Sequence, residues 1–344
     1  MKKQIIRTSA AVLALSISAF AVSTDNFDLK GNIQTQGITS HDNGDDVMDS
    51  FWFRANFGGM YKSDDFDGQI SIRMWGPKFG NTVEVGNDKT SKIDKMVADL
   101  YWGNYKWKLG ENKINLKLGH WKTDWSEAGN FGTYLDPMLG TRGFLMRDYS
   151  HDAFEAGWQV GPSAFKAMLA TGDSKFNTGY VRVEEQLKFS FPLELGAGYR
   201  VNALDAFSHT ATQTHRVAGR ASFSFIKNLR LYGEVAYIKT TTNSDVDSAA
   251  ISTGDAIKPE YAQGSDYTPF YVGLEIPTAG FLDHLEFEVE HINDRDELNK
   301  GADNFAWTVG LIKTLGRTKA QLNVYSGDEL DDVTAALRFT TTIK

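Results

Sequence analysis

The side chains of this chain that could do chemistry are charged and aromatic rather than nucleophilic. It has no cysteine, which removes disulfides, thiolate metal sites and cysteine nucleophiles together. His120, His151, His209 and His215 stand in no Ser/His/Asp or His-rich metal spacing. Residues 129–132 (Gly-Asn-Phe-Gly) are not a phosphate loop, because no strand–helix context surrounds them. The acidic pairs Asp45-Asp46, Asp64-Asp65 and Asp331-Asp332 read first as turn residues, with divalent-cation binding as the alternative on charge alone. The expectation is a protein with no catalytic residue, no cofactor and no resident metal.

What remains is charge at fixed parity. In residues 51–57, Phe51, Phe53, Ala55 and Phe57 share one face, and Trp52, Arg54 and Asn56 share the other. Arg73 is set against Ile70, Ile72 and Met74 in the same way, and Lys30, Lys117 and Arg338 follow by the same parity. A second basic set, Arg182, Arg200, Arg216, Arg220 and Arg230, runs near Glu184, Glu194, Glu234, Glu286, Glu288 and Glu290. Asp124, Glu127, Asp136 and Asp148 lie in a stretch of about thirty residues, 121–150, that has no period at all. A connection this long inside a compact domain usually has a function.

These charges need elements to carry them. Glycine is frequent (32), proline scarce (7) and aromatics make up 12% of the chain. Helical periodicity is nearly absent, and alternation with period two is widespread. Sixteen strands are expected, near 26–36, 50–62, 66–76, 94–107, 112–120, 152–161, 163–171, 179–191, 193–203, 214–226, 228–240, 269–277, 283–293, 304–314, 317–326 and 331–343. The links between them alternate. Short ones fall near 62–65, 108–111, 161–162, 192, 227–228, 277–282 and 315–316. The others, mostly longer, fall near 37–49, 77–93, 120–151, 172–178, 204–213, 241–268, 293–303 and 327–330. Short turns at one end and longer loops at the other belong to a transmembrane β-barrel, and a soluble sandwich has no reason to segregate them. The mean hydropathy of −0.35 does not oppose this, since a barrel puts only every second residue into lipid.

Lys2, Lys3 and Arg7, an apolar run from Thr8 to Phe20 and the site Ala19-Phe20-Ala21 read as a secretory signal peptide over 1–21. Its removal takes three positive charges, so the net charge goes from −8 to −11. An acidic chain argues against nucleic acid as a partner. No later stretch of eighteen apolar residues exists, so no helical span is expected. Residues 22–344 read as one barrel domain.

A signal peptide, sixteen strands and a long third loop together resemble the general bacterial porins. The resemblance covers the whole mature chain as a pattern and rests on no sequence motif. It implies an all-β, 16-stranded antiparallel transmembrane β-barrel in the outer membrane, a homotrimer, and a third loop, here about 121–150, folded into the lumen. That family usually ends on an aromatic residue; this chain ends Thr342-Ile343-Lys344, with Phe339 the nearest aromatic.

Carried onto these residues, the pattern expects a pore constriction with Arg54, Arg73, Lys117 and Arg338 on the wall, facing Asp124, Glu127, Asp136 and Asp148 on the loop. Such opposed charges set selectivity in pores. The expected function is passive diffusion of small hydrophilic solutes and ions, with lipid and lipopolysaccharide as surroundings. The alternatives are a sugar-selective channel, with Trp52 and Trp75 as stacking residues, and a non-conducting structural or adhesive barrel. Trp102 and Trp107 read as members of an interfacial aromatic girdle.

Overall fold

The computed structural model describes residues 26–42, 45–75, 95–121, 151–170, 180–201, 212–226, 229–242, 266–291, 305–326 and 333–343. They form strands β1 (Phe27–Asp42), β2 (Asp45–Lys62), β3 (Phe66–Trp75), β4 (Lys95–Leu109), β5 (Asn112–Trp121), β6 (His151–Val160), β7 (Ser163–Ala170), β8 (Tyr180–Lys188) and β9 (Leu193–Val201). The second half of the chain adds β10 (Thr212–Ile226), β11 (Leu229–Thr242), β12 (Asp266–Tyr267), β13 (Phe270–Pro277), β14 (His284–His291), β15 (Phe305–Leu315), β16 (Thr318–Ser326) and β17 (Val333–Ile343). The two-residue β12 and β13 pair with the same neighbour, β11, and make one stave. The wall therefore has sixteen staves, each antiparallel to the next.

The wall closes. β17 returns to β1 through eleven residue pairs, from Gly31–Ile343 to His41–Val333. In hydrocarbon each unsatisfied backbone group costs several kcal/mol, so an open seam of this length is untenable and closure follows from the surroundings.

The two faces of the wall are the reverse of a soluble protein's. Leu118 is 63% and Val217 54% exposed, while Arg200 is 1% and Asn323 0% exposed. Along β14, Phe287 and Val289 are exposed and Glu288 and Glu290 are buried. The expected parity is therefore observed along these strands: apolar side chains alternate outward, and the charged and polar ones face the lumen together with some apolar residues. Outward aromatics gather toward the short-turn end. Phe66 and Tyr105 have ring centroids 5.0 Å apart, Phe189 and Phe191 5.3 Å, and Phe223 and Phe225 5.1 Å. Trp107 and Trp158 are exposed near the same end, as an interfacial girdle requires.

The tight turns are set by glycine. Gly110, Gly161 and Gly316 have φ of 64°, 54° and 62°, a region costly for any residue with a Cβ. At Gly161-Pro162 a positive φ followed by proline's fixed negative φ suits a two-residue hairpin.

One expected boundary differs. The sequence reading places a long first loop at 37–49. Instead β1 runs to Asp42 and β2 starts at Asp45, with His41 opposite Asp46 and Asp42 opposite Asp45. Thr39, Ser40, His41, Asp42, Asp45 and Asp46 are polar on both faces, so the strands continue without any alternation to read.

Candidate functional site

The lumen wall is the site, and its register decides which charges meet. At the seam, Arg338 stands opposite Gln36 and donates from Nε to its Oε1 at 2.8 Å. Arg54 stands opposite Gln34 and donates from Nε to Gln34 Oε1 at 2.8 Å, while Gln34 Nε2 donates to Thr340 Oγ1 at 3.2 Å. A second network crosses β1 to β4. Asn56 donates to Asn32 Oδ1 at 2.8 Å, Arg73 Nε donates to Asn56 Oδ1 at 3.0 Å, and Arg73 Nη2 lies 2.6 Å from Asp99 Oδ1. Arg338, Arg54 and Arg73 thus fall on one contiguous wall, as the parity predicts. Glutamine and asparagine amides accept from all three guanidinium groups and hold them against the wall.

Asp99 is missing from the sequence reading, for a reason that lies in the backbone. Ser71 is opposite Leu100 and Ile72 is opposite Ala98, so the register shifts and Asp99 has no opposite number on β3. The extra residue of such a shift is re-aimed. Asp99 is buried and pairs with Arg73. Nothing in residues 95–109 announces a bulge.

Lys117 lies on β5 between Asn104 and Glu155 in register. Its Nζ is 4.3 Å from the Trp102 ring centroid and 4.5 Å from that of Trp121, within cation–π range. Trp102 therefore belongs to the lumen face. Of the two expected girdle tryptophans only Trp107 is outward. Trp121 also packs in an apolar cluster with Ala153, Met168, Ala170 and Tyr180 on the lumen side of β5 to β8. This cluster stands where the chain leaves for residues 122–150.

Asp124, Glu127, Asp136 and Asp148 lie outside the described residues. Trp52 and Trp75 occupy register positions opposite Gln36 and Arg54; their side chains also lie outside the description.

The second basic set forms a ladder. Arg182, Arg200 and Arg216 are directly opposite one another on β8, β9 and β10, and all three are buried. Arg182 Nε lies 2.9 Å from Glu184 Oε2. The Arg200 guanidinium carbon lies 5.1 Å from the Tyr180 ring centroid. Beyond this ladder the wall turns acidic. Tyr271 donates to Glu234 Oε2 at 3.0 Å, and Tyr232 donates to Glu288 Oε2 at 3.2 Å. Tyr232 reaches β14 because Gly273 lies between them in register and a Cβ there would collide with the Tyr232 ring. Glu275 takes a charge contact from Arg230 at 3.4 Å.

β9 and β1 are half a circumference apart in the order of staves. The arginine ladder of β8 to β10 is therefore on the far side from the basic wall of β17 to β3. Asp99 and Glu155 lie on staves between them in one direction, and Glu234, Glu288 and Glu290 in the other. Acidic side chains thus lie between the two basic sets on both sides of the wall. Such a lining keeps the interior polar and acts on a charged solute by long-range field as well as by contact.

Solved porin structures share this fold. A triple-substituted form of the Rh. blastica porin superposes with a TM-score of 0.55 at 11% identity, over 92% of this chain and 100% of that one. A triple mutant of the Rhodopseudomonas blastica porin gives a TM-score of 0.54 at 12% identity with the same coverage. A chain described under asymmetric conductivity of engineered proteins gives 0.52 at 13%, again over 92% and 100%. No protein-family model and no curated protein matches the sequence. The likeness is one of architecture: this chain is a closed sixteen-stranded barrel of the porin type.

Proposed function

We propose that this protein is an outer-membrane porin that forms a water-filled channel for passive diffusion of small hydrophilic solutes and ions. The observation that carries the reading is the inversion of the two faces. Arg182, Arg200, Arg216, Glu234, Glu288 and Glu290 are buried within the closed wall, and Leu118, Phe154, Val217 and Val235 are exposed outside it. Burying this many charges in a dry interior would be prohibitive, and a sixteen-strand barrel is wide enough to hold water. The porin-type fold supports the same reading.

In this proposal residues 1–21 direct export, residues 22–344 form the barrel, and three copies assemble as the family resemblance implies. The constriction lies between the basic wall, Arg54, Arg73, Lys117 and Arg338, and the segment about 121–150 with Asp124, Glu127, Asp136 and Asp148. The lining has no enzymatic role; it filters by size and charge. Reconstitution in planar bilayers tests the proposal. Ohmic single-channel steps are expected, without block by oligosaccharides. Absence of any conductance would leave only a structural or adhesive barrel, and sugar block would favour the selective channel. Deleting residues 129–143 is expected to raise the conductance; a fall or no change would place that segment outside the pore.

A further inference from the structure

The outer face of β8 to β13 is not a smooth belt. A groove of about 690 Å³ lies there, lined almost wholly by apolar atoms of five staves. Its volume is in the range of sites that take a ligand. The floor is low because Ala197, Gly219, Ala221 and Gly233 stand together at outward positions of β9, β10 and β11. Phe223, Leu231 and Val272, larger and exposed, rise around them. A Cβ built on Gly219 would meet nothing nearer than the Gly196 carbonyl oxygen at 3.9 Å. The depression is therefore open space, not a close approach of backbone to backbone.

A carboxylate lines one end of it. Glu185 belongs to the groove and has the outward parity of the exposed Val183 on β8. It is half-buried. Its Oε1 accepts from Ser163 Oγ at 2.8 Å, and among the described residues no cation meets it. Three other acids toward the short turns do have one: Lys106 meets Asp67, Lys188 meets Glu194 and Lys313 meets Asp283, each at 2.9 Å. Ser163 opens β7 directly after the Gly161-Pro162 turn. The carboxylate is thus drawn to the edge of the belt, beside the girdle rings of Trp158 and Phe165.

The groove climbs from that edge. The rung that carries Glu185 starts at Trp158 on β6, near the short turn, passes Ala197 and Gly219, and ends at His291 on β14, at the long-loop end. From β8 to β13 it crosses four strand spacings, roughly 19 Å at about 4.8 Å each. An oblique apolar channel that starts at an interfacial acid matches an amphiphile with a cationic head. A polar solute gains nothing from such a lining. A second copy of this chain would have to bring a cation to Glu185. By register parity, the outward lysines and arginines of the described strands are Lys239, at the long-loop end of β11, and Lys313, already held by Asp283.

We propose that this groove holds one lipid whose headgroup ends in a primary ammonium. The ammonium donates to the Glu185 carboxylate beside Ser163, and an acyl chain lies over Gly219 and Ala221. The outer wall thus selects one lipid at this place instead of being wetted by all alike.

The inference rests on the reading that the outer face meets lipid, and not on conduction. It is tested by native mass spectrometry of the purified full chain in detergent micelles, with dioleoyl phosphatidylethanolamine, phosphatidylcholine and phosphatidylglycerol supplied in equal amounts. The ethanolamine lipid is expected to be retained about fivefold more than either of the others, the yield of one interfacial ion pair. The choline lipid is the sharp control, since its cation has no N–H to donate. Glu185→Gln is expected to bring the three lipids level. Gly219→Leu, which fills the groove, is expected to lower retention of the ethanolamine lipid by about the same factor, with Ala221→Leu as a second filling variant should the first fail to fold. Equal retention of the three lipids by the unaltered protein would overturn the proposal. So would preference for the glycerol lipid, unchanged retention in the folded variants, or a dimer that Gly219→Leu abolishes, which would make a second copy the occupant. Selective retention without bilayer conductance would overturn the channel reading alone; conductance without selective retention would overturn this site alone.

Discussion

Arg54 and Arg73 have different neighbours on the wall, and their effect on ion flow is testable. Arg54 is fixed by the neutral Gln34 amide, whereas Arg73 is matched by Asp99 at 2.6 Å. A double substitution, Arg54→Gln with Arg73→Gln, is expected to move the reversal potential of the channel toward cations. Unchanged reversal potentials would remove both residues from the conduction path. Asp283 makes a residue-scale prediction of another kind. It stands in the turn between β13 and β14, where it accepts from Lys313 Nζ at 2.9 Å and from the Thr314 backbone N–H at 2.7 Å. These bonds hold its carboxyl below the ordinary range, at about 2. A depressed carboxylate stabilises the fold above the unfolded value and ceases to do so as pH falls through the folded one. The local stability of this turn is therefore expected to drop between about pH 4 and pH 2. Amide exchange at Thr314 reports it, and Asp283→Asn is expected to make that exchange insensitive over the same window.

At the scale of elements, the barrel depends on strands coming close where a side chain would obstruct them. Gly119 on β5 has φ of 127°, and a Cβ there would lie 2.7 Å from Trp102 Cα and would collide with the Tyr101 carbonyl oxygen. Gly119→Val is expected to destabilise the β4–β5 pair by about 1–3 kcal/mol from backbone strain. The effect should appear as an earlier heat-induced transition in detergent. An unchanged transition would mean that β4 and β5 are not this close. The pair is consequential because Lys117, Trp102 and Trp121 all hang from it, at the root of the segment assigned to the constriction.

For the molecule as a whole, the outer belt is the term that the surroundings impose. Val235, midway along β11, is 49% exposed and lies between the inward Glu234 and Ala236. Val235→Arg is expected to cost about 2–4 kcal/mol in a bilayer, the penalty for a cation at mid-depth on the lipid face. Unfolding from lipid vesicles measures it. A cost near zero would mean that this face does not meet hydrocarbon. The lumen obeys the opposite rule. There acidic and basic side chains share the wall, and loss of a charge is expected to alter ion flow more than stability.

The sequence by itself determined the number of staves, their approximate ends and the side to which most residues point, Trp102 and Asp99 being exceptions. These follow from alternation, which is local: Arg54 cannot share a face with Phe53 and Phe57 in any extended strand. It therefore also put Arg54, Arg73, Lys117 and Arg338 on the polar faces of their strands. Only the tertiary structure decided which of these residues meet. Gln36 and Arg338 are 302 positions apart in sequence, and no local pattern states how far one strand slides along another. The register shift that turns Asp99 toward Arg73 and the ladder of Arg182, Arg200 and Arg216 both belong to that relative sliding. A side chain's face is set by its own backbone, but its partner is set by closure of the whole wall.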